Sequence, residues 1–410
     1  MTRTDVRGAD PSTVRRAIED REPLPGARRG YPPSLAGFSG GVDATLFRDV
    51  LGREPLFLER QPNWETSEAD GPASRPETVD WAFEPAALED PLLFPAGVTW
   101  SPDSDGEWSN RTQCWTLPTR SPDAAGAALE RLQGTLAPAL GIERDDGGPS
   151  GAAADSEDDI AVAFSGGIDS ALVAAGYPEA PLYVVGFEGC HDVAAAREAA
   201  DAMGRLGDLR VIELTHETLR SWVPRVVSAT GRTNAMDVAI AIPLSIVAER
   251  AAADGYELLA VGQGADELFG GYAKVVDPAD DHRVDAGTVR GAVRETIETL
   301  PDQLARDVPA IRAAGVDVVA PFLQDRVVDA ALRLPGDLLV AGGTRKAALR
   351  RFAEETDDVP RSVWTAEKKA LQYGTYVSRE LDRLARQAGF KRRMDRHVDR
   401  YVESLVEDGR

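Results

Sequence analysis

A glycine-rich loop between a short apolar strand and a helix is the feature that most limits what this chain can fold into. The run IAVAF (160–164) predicts a buried strand, and DSALVAAG begins a helix directly after the loop's glycines. A strand followed by a helix and then by a second, parallel strand is the repeating unit of parallel α/β sheets. Further strands are predicted at 181–187, 209–215 and 257–262, with helical stretches between them. The fold class is therefore α/β, a parallel sheet with helices on both faces, with a mainly helical part from about residue 285.

The loop Ser165–Ser170 (SGGIDS) has the residues of a phosphate-binding site. Gly166 and Gly167 let the backbone turn tightly and bring its N–H groups against phosphate oxygens. The helix N-terminus behind them adds partial positive charge. Ser165 and Ser170 carry hydroxyl donors, and Asp169 is a carboxylate that suits Mg²⁺. Without GK[ST] the loop is not of the kind that cleaves ATP at its γ-phosphate, and it is similar to the pyrophosphate loops that split ATP between the α- and β-phosphates.

A second copy of the string, Ser39–Asp43 (SGGVD), lacks this setting. It follows PPSLAGF, which does not read as a buried strand, and it continues with Ala44-Thr45 where the first copy has a serine. We predict a loop in a β-rich region, with no binding role.

The stretch LLAVGQGADELFGGY (258–272) carries a second signal. A buried strand runs into Gly262, Gln263 and Gly264, and Asp266 follows. Glycines at the carboxyl end of a strand let a ligand approach the backbone, which is where α/β sheets bind ligands. Asp266 is then a second carboxylate for a metal ion held by Asp169.

These two motifs resemble the SGGxDS and GxGxDExxGGY motifs of the asparagine synthetase family. The resemblance extends to VVGFEGCHDVAAAREAADAMG, to Ala320–Leu323 (APFL), to TRKAALRRFAEE and to EKKALQYGT, and it covers about residues 121–385. It implies an adenine nucleotide α-hydrolase-like fold and an AMP-forming, ATP-dependent carbon–nitrogen ligase.

The resemblance also implies roles for individual residues. Val185 and Gly262 would lie against adenine and ribose, and Asp266 would complete the Mg²⁺ shell with Asp169. Lys346 would stabilise the charge that builds on the departing pyrophosphate, a role for which a cation is suited. Lys368 and Lys369 are either helpers or a solvated pair. Pyrophosphate and magnesium would be held by Ser165, Gly166, Gly167, Asp169 and Ser170.

Two positions depart from the family pattern near the site. Well-studied members carry a carboxylate between the glycines of the second motif, whereas this chain has Gln263, which cannot act as a general base. Either the amine arrives neutral or the chemistry differs from asparagine formation. The aspartate of the family's PFLD segment is replaced by Gln324, with Asp325 one position later.

The N-terminal part resembles a truncated glutaminase domain. LFRDVLGREPLFLE is similar to that domain's RDPLGxKPLY segment, but position 2 is Thr2 where glutamine-dependent members carry the nucleophilic cysteine. Cys114 and Cys190 lie too far along the chain for that role. The predicted units are a loose polar arm (1–36), a β-rich degenerate region of N-terminal-nucleophile type (37–118), a helix and linker (119–159), the synthetase-like domain (160–390) and a tail (391–410).

Composition excludes several other functions. The formal net charge of −22 opposes nonspecific binding to nucleic acid or anionic membranes. No apolar run is long enough to span a membrane, and two separated cysteines do not make a zinc site. The polar start indicates a cytoplasmic protein. Only five residues are lysine, which together with the acidity is typical of a halophilic protein.

The leading hypothesis is therefore an ammonia-dependent ligase that adenylates aspartate. Its nitrogen would come from free ammonia, a separate glutaminase partner or another amine, and homo-oligomerisation stays open. One alternative keeps adenylation but changes the acyl or amine substrate, as in amide or lactam formers or nucleoside-modifying enzymes. The other is a noncatalytic ATP sensor or scaffold.

Overall fold

The computed structural model describes residues 4–60, 79–142, 159–356, 358–366, 371–393 and 395–408. Its N-terminal part is built from short strands and two helices. The strands are β1 (Asp5–Arg7), β2 (Ser39–Val42), β3 (Thr45–Arg48), β4 (Phe57–Glu59), β5 (Trp81–Ala82), β6 (Pro91–Leu93), β7 (Val98–Pro102) and β8 (Trp108–Gln113), and the helices are α1 (Pro11–Asp20) and α2 (Ala125–Leu140).

The N-terminal strands form two small antiparallel sheets. One has the order β1-β2-β3-β7-β8 and the other the order β5-β4-β6. Apolar side chains from both sheets, Leu46, Leu58, Phe94, Trp100 and Trp108 among them, form a buried cluster of their own. The prediction of a β-rich N-terminal region is confirmed.

Residues 1–36 were predicted to be a loose arm, and for the described ones this is wrong. Strand β1 pairs with β2, and α1 is capped by Asp10, whose side chain accepts the N–H groups of Ser12 and Thr13. Val14 and Ala17 on α1 are fully buried in the main core. The segment is charged on one side only, and composition alone did not reveal its apolar face.

The second SGG string is a strand rather than the predicted loop. Ser39, Gly40 and Gly41 lie in β2, which pairs with β1 on one side and β3 on the other. Asp43 and Ala44 both have positive φ and form the two-residue turn between β2 and β3, a conformation that suits a tight hairpin. Its glycine serves strand packing, because a Cβ on Gly40 would lie 2.1 Å from the Asp5 carbonyl oxygen.

The C-terminal part contains the predicted parallel sheet and most of the helices. The strands are β9 (Ile160–Ala163), β10 (Leu182–Phe187), β11 (Leu209–Leu214), β12 (Leu258–Ala260), β13 (Asp317–Val319), β14 (Val340–Ala341) and β15 (Thr344–Arg345). The helices are α3 (Ile168–Gly176), α4 (His191–Ala202), α5 (His216–Thr230), α6 (Ala235–Ala253), α7 (Ala265–Phe269), α8 (Val289–Ile297), α9 (Leu300–Arg312), α10 (Asp325–Ala331), α11 (Gly336–Leu339), α12 (Ala347–Glu355), α13 (Arg361–Trp364), α14 (Leu371–Gly374), α15 (Val377–Gln387) and α16 (His397–Asp408).

The main sheet has the strand order β11-β10-β9-β12-β13, and every neighbouring pair is parallel. Along β10, Leu182 and Val184 face one core while Tyr183 and Val185 face the other. Helices therefore cover both faces, which explains why β9, β10 and β12 are apolar without alternation. The chain order reverses between β9 and β12, and ligands of such sheets bind beyond the carboxyl ends of the strands at this point.

The structure adds two features to the predicted C-terminal part. Strand β13 and the hairpin β14–β15 lie in the stretch that was expected to be mainly helical. Residues 391–410 were predicted to be a tail, but their helix α16 buries Tyr401 and Val402 in the second core, so this helix belongs to the domain.

None of the helices in the described ranges is long and apolar enough to cross a membrane.

A buried ionic cluster joins the N-terminal part to the sheet domain. The guanidinium of Arg53 donates to Asp49 Oδ1 at 2.8 Å and to Asp325 Oδ1 at 2.6 Å. Its Nη1 also donates to the Leu323 carbonyl, and Asp325 Oδ2 accepts the N–H of Gly26. All three charged side chains are at most 3% exposed. The carboxylate that follows the APFL segment therefore holds the two parts of the chain together.

We expect Arg53→Met to destabilise the whole fold. The change leaves two buried carboxylates without their cation, which costs about 3–5 kcal/mol of unfolding free energy. Urea unfolding followed by tryptophan fluorescence measures this. The control is Arg15→Met, whose ion pair with Asp43 lies on the surface and whose loss should not shift the midpoint measurably. Equal midpoints for both variants would contradict the structural role of Arg53.

Candidate active site

The loop after β9 is stabilised by hydrogen bonds between its own side chains and backbone. Ser170 Oγ donates to the Gly167 carbonyl at 3.1 Å and accepts the Ser165 N–H at 3.2 Å. Gly166 has a φ of +75°, and a Cβ there would lie 2.4 Å from the Ala195 carbonyl oxygen. Glycine is thus required both by conformation and by space. The single proton of Ser170 is used within the loop, and the Ser165 hydroxyl lies 3.2 Å from Ser170 Oγ, to which it can donate.

The second motif packs directly against this loop. A Cβ on Gly262 would lie 2.9 Å from Asp169 Cβ, so glycine lets the two strand ends approach. The chain then turns through Gly264, at a φ of +87°, into the short helix α7. Asp266 lies in its first turn. A Cβ on Gly271 would overlap the Asp266 carboxylate at 1.7 Å, so this glycine leaves room for the side chain.

Lys346 joins the two motifs. Its Nζ donates to Asp169 Oδ2 at 2.6 Å and lies 2.6 Å from Asp266 Oδ1. Lys346 directly follows the hairpin β14–β15. Arg345 Nη1 anchors that hairpin by donating to the Gly271 carbonyl at 2.6 Å. Lys346 has a φ of +57° directly before α12. A non-glycine residue in this conformation is strained, and such strain is concentrated at functional sites.

These groups lie in one cavity of about 530 Å³. Its wall contains the predicted nucleotide contacts Val185 and Gly262, together with Gln263. The remaining predicted residues on the wall are Ser165, Gly167, Asp169, Ser170, Asp266 and Lys346. Gly166 lies behind the loop against α4. The structure therefore brings together at one place residues that are up to 181 positions apart in the sequence (165 to 346).

The charges of the site favour a cationic lysine. Burial alone would lower the pKa of Lys346, but the carboxylates of Asp169 and Asp266 outweigh it and hold that pKa above its usual value. The same two carboxylates fit Mg²⁺, which takes one or two protein carboxylates and completes its shell with phosphate oxygens and water. Among the described residues no cluster of three or more His, Cys, Asp or Glu side chains forms a metal site on protein ligands alone.

Gln263 has a partner that the sequence did not reveal. Its Nε2 donates to Asp307 Oδ2 at 2.6 Å, and Asp307 lies on α9 next to Arg306, which binds the same carboxylate at 2.7 Å. No motif marks Asp307, because it lies 44 residues beyond Gln263 on a helix that reads as an ordinary amphipathic one. The charged pair Arg306-Asp307 lies between apolar neighbours in this helix, but that pattern does not point to Gln263.

The other positions singled out in the sequence lie elsewhere. Gln324 and Asp325 are buried but do not belong to the cavity wall. Cys190 is buried and Cys114 half-buried, both as free thiols, and burial raises the pKa of each. Neither is therefore an activated nucleophile. Thr2, Lys368 and Lys369 lie outside the described residues.

Glu267 is a second buried group that sequence reasoning missed. It follows Asp266 on α7, is 3% exposed and accepts a hydrogen bond from the Tyr272 hydroxyl. Burial, helped by the charge of Asp266, raises its pKa to about 7. Since its partner Tyr272 lies on the cavity wall, Glu267 lies directly behind the candidate site.

Comparisons with known proteins show the family of the chain. The asparagine synthase family model matches residues 152–285 and 277–407, together more than half of the chain. A putative glutamine-hydrolysing asparagine synthetase of Methanocaldococcus jannaschii is 27% identical over 287 residues, 61% of this chain and 52% of the relative. The glutamine-hydrolysing asparagine synthetase B of Escherichia coli is 25% identical over 239 residues, 53% of this chain and 41% of the relative. The chain thus spans about half the length of these relatives or less.

The raised pKa of Glu267 predicts a stability change with pH. At low pH the side chain is protonated in both states. As pH rises from 4.5 towards 7, the unfolded chain loses this proton while the folded chain keeps it, so folded stability falls and the loss is complete above the folded pKa. We expect Glu267→Gln to remove this loss. As pH rises from 5 to 8, the free energy of unfolding of the variant should increase relative to that of the unmodified protein by on the order of 1–3 kcal/mol. Urea unfolding at both pH values measures it, with the exposed Glu188→Gln as control; parallel curves for Glu267→Gln would refute the assignment.

Proposed function

Because the chain belongs to the asparagine synthase family, we propose that it is an ATP-dependent carbon–nitrogen ligase that adenylates a carboxylate and passes the acyl group to ammonia. Aspartate is the acyl substrate that this proposal names. The observation that carries it is the meeting of Lys346 with Asp169 and Asp266 at the carboxyl ends of β9 and β12. A loop–helix anion site, two carboxylates and one cation are the groups that nucleotide phosphates require.

In the first step a carboxylate oxygen of the substrate attacks the α-phosphorus of ATP. The bond between the α- and β-phosphates breaks, and its electron pair leaves with pyrophosphate. Backbone N–H groups of residues 166–169 and the N-terminus of α3 would face the phosphates. Lys346 lies where negative charge grows on the leaving group and lowers the barrier by stabilising it. Mg²⁺, when held by Asp169 and Asp266, would supply further neutralisation of the phosphate charge.

In the second step the amine nitrogen attacks the acyl carbon, the bond from that carbon to the phosphate oxygen breaks with its electron pair leaving on AMP, and the surplus proton of the nitrogen passes to the departing phosphate or to water. The amine must carry a lone pair, so it reacts as the neutral species. Gln263 cannot remove a proton, so the proposed reaction requires that the amine arrives as neutral ammonia. Gln263 also favours a second candidate, an amide-forming ligase of the same chemistry with another acyl or amine substrate.

The nitrogen source follows from the N-terminal part. The relatives above are named glutamine-hydrolysing, but among the described residues neither cysteine is placed as an activated nucleophile. We propose that the β-rich part is a degenerate glutaminase-like region and that ammonia enters from solution or from a separate glutaminase. Two free thiols suit a reducing compartment, and we place the reaction in the cytoplasm.

Removal of the site's charges tests the proposal. Asp169→Asn and Lys346→Met should each lower aspartate-dependent pyrophosphate release by at least about 10²–10³-fold. The assay contains ATP, Mg²⁺, aspartate and ammonium in high KCl, with mass detection of asparagine. The matched control is Asp201→Asn, a change of the same kind at an exposed position on α4.

Each outcome of that assay has a definite meaning. Normal turnover by Asp169→Asn refutes the site assignment. Turnover of ATP with another carboxylate, but not with aspartate, supports the second candidate. ATP binding without pyrophosphate release for any carboxylate supports a noncatalytic ATP sensor.

A further inference from the structure

Gln263 lies between the cavity and a buried ionic cluster. The residue belongs to the cavity wall, whereas Asp307 behind it does not. Asp307 is 4% exposed. Its Oδ1 accepts Arg306 Nε at 2.7 Å, and its Oδ2 accepts both Arg306 Nη2 at 3.1 Å and Gln263 Nε2 at 2.6 Å. Arg306 is held in turn by Asp237 at 2.8 Å.

The cluster dictates which end of the Gln263 amide faces inward. A carboxylate bound on both oxygens by a guanidinium is ionised, and an ionised carboxylate only accepts hydrogen bonds. The NH₂ group of Gln263 must therefore face Asp307. The oxygen and nitrogen of an amide have nearly the same shape, but here the charge of Asp307 separates them. The polar atom that Gln263 keeps for the cavity is Oε1.

We propose that Asp307 is a positioning residue that fixes the amide of Gln263 so that its Oε1 accepts a hydrogen bond from an N–H of the incoming amine. This inference rests on the proposed function, because it concerns the second step of that reaction. The ligand at this point is an amine with an N–H to donate, and the uncharged acceptor adds no negative charge that would favour the protonated form of that amine.

The same cluster explains the departure from the family pattern at this position. A glutamate at position 263 would place a second carboxylate at hydrogen-bond distance from that of Asp307, and like charges at this separation repel strongly when they are shielded from water. A carboxylate at 263 is therefore unfavourable while Asp307 is present, and a change of Asp307 to a neutral residue removes this repulsion.

A double-mutant cycle tests this reciprocity. In Asp307→Asn the residue at 307 can donate as well as accept, the Gln263 amide loses its fixed orientation, and the KM for ammonium should rise about tenfold, the effect of one misplaced hydrogen bond. Gln263→Glu should raise it similarly through repulsion. In Gln263→Glu/Asp307→Asn the new amide can donate to the new carboxylate, an acceptor oxygen again faces the cavity, and KM should return to within about threefold. Asp302→Asn, an exposed change on the same helix, is the control.

The half-reaction distinguishes positioning from general damage. Exchange of pyrophosphate into ATP with aspartate does not involve the amine, so Asp307→Asn should change its rate less than about threefold while the ammonium KM rises. Equal losses in exchange and in amine capture, or a double variant worse than either single one, overturn the inference and leave Asp307 with a structural role only.

A spectroscopic measurement decides the geometry whatever the acyl substrate is. In protein labelled with ¹⁵N-glutamine, which has eight such residues, the Gln263 side-chain amide is identified by its loss in Gln263→Met. Its protons should exchange slowly with water, and Asp307→Asn should shift the signal and speed exchange, whereas Asp302→Asn should not. A signal unmoved by Asp307→Asn overturns the inference. Absence of ATP–pyrophosphate exchange with aspartate in the unmodified protein refutes the proposed substrate alone.

Discussion

The site depends on one buried ammonium group shared by two carboxylates. Asp169 follows β9 and Asp266 follows β12, and these neighbouring strands lie where the order of the sheet reverses. Two carboxylates brought this close repel each other unless a cation lies between them. Lys346 supplies it, although its backbone must take a left-handed conformation to do so. The loop, the glycines at 262 and 271 and the hairpin before α12 all serve to bring these three groups together.

The N-terminal part shares a hydrophobic core with the domain that carries this site. Its apolar residues, such as Phe47 and Trp115, belong to the same core as β9 and α3. Arg48 is fully buried and donates to the Pro301 carbonyl at the start of α9. Whatever its ancestry, this part of the chain supports the segments that surround the cavity.

The sequence was sufficient for features that depend on local pattern. Apolar runs and glycine positions predicted four parallel strands, the loop after β9 and the second motif, because each depends on a few neighbouring residues. The sequence was insufficient where contacts between distant parts of the chain determine the local structure. The string at Ser39–Asp43 has nearly the same residues as the phosphate loop, yet pairing with β1 and β3 makes it a strand. The partner of Gln263 lies on another helix, and α1 reveals its buried face only when packed. Short strand β13 has too few residues for a clear pattern.

The ionic cluster of Arg53, Asp49 and Asp325 has a consequence for how this chain can be divided. The polar stretch near residue 150 reads as a boundary, and a fragment that starts there would hold every residue of the candidate site. Such a fragment would nevertheless expose the carboxylate of Asp325 and the apolar surface around it, having lost the arginine that neutralises it. A division of this chain that keeps the fold of its C-terminal part must therefore keep Arg53 with it. The part of this chain that must stay together to fold is therefore larger than the part that contains the candidate site.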